Sequence, residues 1–165
     1  MELATVRLLR DLNRNFYEQH AEAFADSRPR LAPGVRRVLD LIPPGARVLE
    51  AGCGDGKVGR WLAANANIAA YLGLDSSEAM LERAIQYTTK DERRKTKDER
   101  LASVLRPAKR SFVHSDLTSP DWIHILPPHP FDWILAFALF HHLPGYANRA
   151  RLLRELAERL APGGM

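Results

Sequence analysis

Seven consecutive residues, Glu50-Ala51-Gly52-Cys53-Gly54-Asp55-Gly56, set an acid ahead of glycines at every second position. Glycine has no Cβ, so a corner built this way can take positive φ and let the backbone approach a ligand closely. A helix starting just after it would turn its first N–H groups toward the same crevice. The chemistry suggested is the binding of a nucleotide-like cofactor, and the order of residues separates the classes. The G-x-G-x-x-G fingerprint carries a pyrophosphate to a helix N-terminus. Here Glu50 heads an E-x-G-x-G-x-G pattern. A carboxylate in that place would repel a pyrophosphate but suit an ammonium or sulfonium group. A phosphate loop of the G-x-x-x-x-G-K-[ST] type is excluded, because Lys57 does not follow that glycine spacing and no Ser or Thr comes after it. A glycine-rich turn that binds nothing is the plain alternative.

Other residues with chemical potential recur at regular intervals. Asp75 lies twenty-five residues beyond Glu50, near the offset at which an acid receives ribose hydroxyls in βαβ folds. It is equally placed to cap a helix beginning at Ser76 or Ser77. His141 and His142 are candidates for a general base, since imidazole titrates near neutrality. Packing or capping is the alternative for both. The histidines at 114, 124, 129, 141 and 142 match no metal-ligand spacing, and no metal site is expected.

These residues need elements to hold them. Ala46–Leu49, Tyr71–Asp75, Ser111–Leu117 and Phe131–Leu139 read as four apolar strands, the second and third running into acids. Helical spacing follows the first strand at Val58, Trp61, Leu62 and Asn65. It follows the second from about Ser77, with Met80, Leu81, Ala84 and Ile85 inward, and the fourth at Leu152, Leu153, Leu156 and Leu160. Upstream, the chain reads as helical from Leu3 to Phe24, with Leu8, Leu9, Leu12 and Phe16 near one face, and again at Val35, Val38, Leu39 and Ile42 until Pro43-Pro44-Gly45. Four strand-to-helix steps predict an α/β fold in which ligands bind outside the carboxyl ends of the strands.

From about Val35 to the last residue, the chain resembles the class I S-adenosylmethionine-dependent methyltransferases with a type 11/12-like core. The resemblance is carried by VLEAGCGDG, YLGLDSS, FVHSDL and FDWILAFALFHHLP, followed by LLRELAERLAPGG. It implies a Rossmann-like methyltransferase sheet of parallel strands in the order 3-2-1-4 with flanking helices. S-adenosyl-L-methionine would be the cofactor and S-adenosyl-L-homocysteine the product. By position, Glu50, Gly52 and Gly54 would line the methionine part, Asp75 would hold the ribose, and Ser76 would lie near the adenine. Asp116 and Leu117 would meet the adenine edge, while Cys53 and Phe137 join the cofactor-side candidates. Phe16–Arg28, read with Phe140-His141-His142, is similar to the branch containing tRNA wobble-uridine carboxyl methyltransferases. In that branch the N-terminal segment folds over the cofactor, which makes Tyr17 and Arg28 candidate lid residues and residues 1–30 a helical cover on a cofactor-binding half, 31–165. An amphipathic helix packing Phe16, His20 and Phe24 on the core, with Arg28 in solvent, is the alternative.

The family's sheet has seven strands, and the resemblance reaches four, so strands 5–7 are absent from this chain. The fourth strand is then expected to be an open apolar edge carrying Trp133, Ile134, Leu135, Phe137 and Leu139, with self-association as one consequence. Two functions stay open: an active methyltransferase on a tRNA wobble-uridine derivative or a small molecule, or a cofactor-binding subunit that needs a partner for its substrate side. Composition suits one globular domain, with 45% hydrophobic and 27% charged residues. One cysteine allows no internal disulfide. No apolar run approaches the ~20 residues of a membrane span, and a cytoplasmic protein with no membrane partner is expected. The net charge of +4 is spread among acids. The densest run, residues 90–100, alternates in sign as a solvated helix does, with RNA contact as the functional alternative.

Overall fold

The computed structural model describes residues 3–95 and 109–165. The side chains of the charged run at 90–100 lie outside the described residues. Four strands, β1 (Arg47–Ala51), β2 (Ala70–Asp75), β3 (Lys109–His114) and β4 (Trp133–Leu135), form one parallel sheet in the order β3-β2-β1-β4. The strand order reverses between β1 and β4, which opens a crevice at their carboxyl ends.

Period-two alternation sorts the strand residues onto two cores. On one face Val48, Tyr71, Phe112, Trp133 and Leu135 meet Leu39 of α2 (Pro33–Leu39) and Val58 and Leu62 of α3 (Lys57–Asn65). On the other, Leu49, Ala51, Leu74, Val113 and Ile134 meet Leu152 and Leu156 of α5 (Tyr146–Ala157) and Trp122 of a 3-10 turn at Pro120–Ile125. Both faces are covered, which explains why the strands read as nearly continuous apolar runs. Helix α4 (Glu78–Lys95) follows β2 and buries Met80, Leu81 and Ala84. Ile85, expected inward, is 52% exposed. Likewise α5 buries Leu152 and Leu156 but leaves Leu153 outside, and Leu160 lies beyond its end, bridged to Phe131. A helix packed on one side buries about one residue in three or four, so the broader sequence stripe overshoots.

Two expectations are corrected. β4 stops at Leu135, four residues before the expected end, because the chain turns through Ala138 at φ 51°. Nor is its edge an apolar strip: Trp133 and Leu135 are buried, and Met165 takes the outer backbone positions. The Met165 N–H donates to Asp132 O at 3.0 Å, and the Ile134 N–H donates to Met165 O at 2.8 Å. Self-association through that edge therefore loses its basis.

Helix α1 (Leu3–Asp26) departs from helical geometry at His20 (φ −121°, ψ 15°). Its expected apolar face is turned outward, with Leu8, Leu12 and Phe16 exposed by 59%, 56% and 48%. Inward it places Ala21 and Ala25, and the Glu18 carboxylate accepts the N–H groups of Glu78 (2.7 Å) and Ala79 (3.3 Å) at the start of α4. Among the described residues, no helix is long and apolar enough to cross a membrane.

Candidate active site

The carboxyl ends of all four strands deliver residues to one cleft roofed by α1. The glycine loop turns as its composition demands, with Gly52, Gly54 and Gly56 at φ 76°, 53° and 74°. Gly56 has a second reason, since a Cβ there would lie 2.9 Å from Ala84 Cβ and from the Phe112 ring. The loop is tied to β2: the Gly52 and Cys53 N–H groups both donate to Leu74 O, at 2.8 and 2.9 Å. The N–H groups of Gly52 and Cys53 are thus spent on the protein, and Gly52 and Gly54 line the cleft.

Asp75, the last residue of β2, faces the cleft while accepting the N–H of Gly54 (2.8 Å) and that of Ser77 (3.0 Å). Burial raises its carboxyl above the usual range, against the pull of those N–H groups and that of Ser76. It therefore locks the glycine loop to β2 and keeps lone pairs for a ligand. Capping of α4 is shared by Glu18, which takes the Glu78 and Ala79 N–H groups, and Ser77, whose Oγ accepts the Met80 N–H at 3.2 Å.

Beyond β3, Asp116 accepts the Thr118 N–H (2.8 Å) and hydroxyl (2.6 Å). This turn is held from below by Arg151 of α5, which donates to the Leu117 and Thr118 carbonyls at 3.0 Å each. Arg151 also pairs with Glu155 at 2.7 Å, and Glu155 accepts Trp122 Nε1–H at 2.7 Å. After β4 come Phe137, Ala138, Leu139 and His142. Tyr17 Oη lies 3.0 Å from His142 Nε2, and Asn13 Nδ2 donates to His142 O at 3.1 Å, so the roof is fastened to this loop. Burial and the neighbouring His141 lower the His142 pKa, and burial with the Asp75 charge raises that of Tyr17.

The structure brings together Tyr17, Gly52, Gly54, Asp75, Ser76, Asp116, Leu117, Phe137 and His142. It sets four other expected residues apart. Glu50 is buried beneath the loop, accepting a short hydrogen bond from Tyr71 Oη. Cys53 is buried too, and its thiol is pushed well up by burial and by the charges of Glu50, Asp75 and Asp55. Arg28 is exposed, its guanidinium 4.2 Å from the centre of the Phe24 ring. His141 is exposed, its ring centre 3.9 Å from that of His142 and tilted 46° to it. Sequence reading missed Arg10, Asn13, Arg14, Met80, His114 and Thr118. Positions 10, 13, 14 and 17 form a polar stripe at i, i+3, i+4 and i+7, and that period was the available signal. Among the described residues no three His, Cys, Asp or Glu are grouped to hold a metal ion.

A family model described as a methyltransferase domain matches residues 49–165, from the third residue of β1 through the last residue of the chain. The chain belongs to the methyltransferase domain family. Relatives extend the match upstream. A trans-aconitate 2-methyltransferase of Methylobacterium nodulans is 37% identical over 86% of this chain and 44% of its own length. A tRNA (carboxymethyluridine(34)-5-O)-methyltransferase of Schizosaccharomyces pombe is 27% identical over 90% of the chain and 52% of its own length. This methyltransferase domain thus spans about half the length of these two relatives. The same fold is found in a magnesium protoporphyrin IX methyltransferase of Synechocystis solved with bound S-adenosylmethionine. That structure has a TM-score of 0.62 at 19% identity and covers 92% of this chain and 72% of its own.

Proposed function

We propose that this methyltransferase domain binds S-adenosylmethionine in the cleft and directs its methyl group to an acceptor entering between α1 and the loop after β4. One observation carries the reading: the acids Asp75 and Asp116, at the ends of neighbouring strands, face a cleft beside the strand-order reversal. Two acceptor carboxylates suit the hydroxyl and amino donors of a nucleoside, and bare backbone at Gly52 and Gly54 leaves room for the amino-acid end. The cofactor supplies a methyl group already activated on a sulfonium, so the protein's share is positioning and field. Asp75 fixes the glycine loop, Arg151 fixes the 115–118 turn, and Asn13 and Tyr17 close the roof onto His142. On this reading His142 positions the roof, and the proximity of two aligned reactants supplies most of the acceleration.

The acceptor class follows the relatives, a small molecule or a tRNA wobble-uridine derivative, and the setting proposed is the cytoplasm. A second reading is favoured by the coverage of the relatives: a cofactor-binding half completed on the acceptor side by further chain or a partner. Calorimetric titration with S-adenosylhomocysteine tests what the two readings share. Saturable binding that weakens at least tenfold in Asp75→Ala is expected. Failure of the wild type to bind, or unchanged affinity in the variant, overturns the assignment.

A further inference from the structure

The N–H groups at the start of a helix have no carbonyl of their own helix to bond, and at the start of α4 side chains take them. Asp75 accepts that of Ser77 at 3.0 Å, and Ser77 Oγ accepts that of Met80 at 3.2 Å. The two between, of Glu78 and Ala79, go to the Glu18 carboxylate at 2.7 and 3.3 Å. Asp75 and Ser77 belong to the chain running into α4, whereas Glu18 comes from the roof, 60 residues before Glu78. A carboxylate in that place also meets the positive end of the helix dipole. The turn so held is a wall of the cleft, since Asp75, Ser76 and Met80 line it, while Glu18 itself is exposed and lies outside.

Tyr17, the residue before, reaches the opposite bank. Successive helical residues point about 100° apart, so while Glu18 takes the start of α4 beyond β2, Tyr17 Oη meets His142 Nε2 beyond β4, at 3.0 Å. Asn13 joins it on the His142 carbonyl at 3.1 Å. These contacts all lie N-terminal to the break at His20 (φ −121°, ψ 15°). After the break α1 is fixed to the body: Ala21 and Ala25 are buried, Ala25 O accepts a proton of Lys57 Nζ at 3.3 Å, and Arg83 donates to Asp26 at 2.9 Å. That half is an anchor. The half before it leaves Leu8, Leu12 and Phe16 exposed and spans the cleft through the polar contacts of Asn13, Tyr17 and Glu18.

Building on the cofactor reading above, we infer that Glu18 is a positioning residue for the cofactor: by capping α4 it ties closure of the roof over His142 to the order of the turn at residues 75–77. With the roof down, Tyr17 and Glu18 hold the two banks and the first N–H groups of α4 are satisfied. With the roof up, the N–H groups of Glu78 and Ala79 lose their acceptor, and the wall that carries Asp75 and Ser76 loosens. A ligand that orders this wall therefore favours the closed roof, and the closed roof favours the ligand by the same factor. Tyr17 and Glu18 act as one clamp, so releasing either contact releases both.

The test is a double-mutant cycle on the full chain, read by calorimetric titration with S-adenosylhomocysteine. Glu18→Ala is expected to weaken binding about threefold to tenfold, as loss of a helix cap does. Glu18→Gln, which keeps one acceptor oxygen, recovers part of that loss. Added to Tyr17→Phe, Glu18→Ala costs no more than about twofold further, because the clamp is already released. Amide hydrogen exchange gives a second readout: in Glu18→Ala the protection that S-adenosylhomocysteine confers on residues 3–19 disappears, while residues 21–26 exchange as in the wild type. Unchanged affinity in Glu18→Ala overturns the inference. So do single effects that multiply in the double variant, which would make Glu18 a local cap and nothing more. Wild type that fails to bind S-adenosylhomocysteine overturns the cofactor reading instead, and the first titration tells the two failures apart.

Discussion

Glu50 shows how a residue's type and position can be read while its burial cannot. Its register partner across the sheet is Gly73, and Tyr71 stands on the same face two residues earlier. A Cβ at Gly73 would lie 3.0 Å from the Tyr71 hydroxyl, so glycine there clears the path by which that hydroxyl reaches Glu50. Burial pushes the Glu50 carboxyl up to about 8, with the charges of Asp75 and Asp55 adding to it against the Tyr71 hydrogen bond. A folded pKa above the ordinary 4.5 means that the fold favours the protonated acid. Its stabilising contribution is full below the unfolded value and is lost as pH rises through about 8. Thermal melting of the unliganded protein should therefore fall between pH 6 and 9, and Glu50→Gln, which keeps an acceptor for Tyr71, should flatten that decline. An unchanged slope in the variant would show that Glu50 is ionised throughout. The glycines and Asp75 were legible because their chemistry is local. The burial of Glu50 was not, because it depends on which residue of β2 lies opposite.

At the scale of elements, the strands and most helices were readable from apolar period, whereas the orientation of α1 was not. Its stripe of Leu8, Leu9, Leu12 and Phe16 has the stronger apolar signal, yet the polar stripe of Arg10, Asn13, Arg14 and Tyr17 faces the cleft. Polar groups on the roof find partners at His142, Asp116 and α4, and those bonds decide the rotation of the helix. If so, Leu8→Glu and Leu12→Glu should each change stability by no more than about 0.5 kcal/mol in chemical denaturation, as surface substitutions do. Ala25→Leu, at a position 4% exposed, should cost roughly 1 to 3 kcal/mol by overpacking. The reverse ranking would mean that α1 packs through its leucines. A second element-level dependence runs through α5. Arg151 holds the carbonyls of Leu117 and Thr118, so Arg151→Met should weaken S-adenosylhomocysteine binding at least fivefold through loss of the 115–118 geometry, although it touches no cleft surface itself. Equal affinity in the variant would assign that turn's order to Asp116 and Thr118 alone.

Across the whole molecule, two apolar cores clamp a four-stranded sheet while the cleft at its carboxyl edge is closed mainly by polar contacts. The cores set a floor of stability that does not depend on the ligand, and the roof is the part that a ligand can tighten. Anything that binds the folded state and not the unfolded one stabilises it by mass action, about 2.7 kcal/mol at a hundredfold excess over Kd. For a chain of 165 residues, that energy corresponds to a rise in melting temperature of roughly 5 to 11 °C. The gain should be unevenly distributed. The N-terminal part of α1, which reaches the body through Asn13, Tyr17, Glu18 and Arg10, should show the largest increase in amide hydrogen-exchange protection on adding S-adenosylhomocysteine. Amides of β1 and β2, already inside the sheet, should change least. Tyr17→Phe should remove most of the added protection in α1 while leaving the melting temperature of the unliganded protein within about 4 °C, since one partly exposed hydrogen bond is worth about 1 kcal/mol. A uniform rise in protection across sheet and helix would instead mean that the roof and the cores open together as one unit.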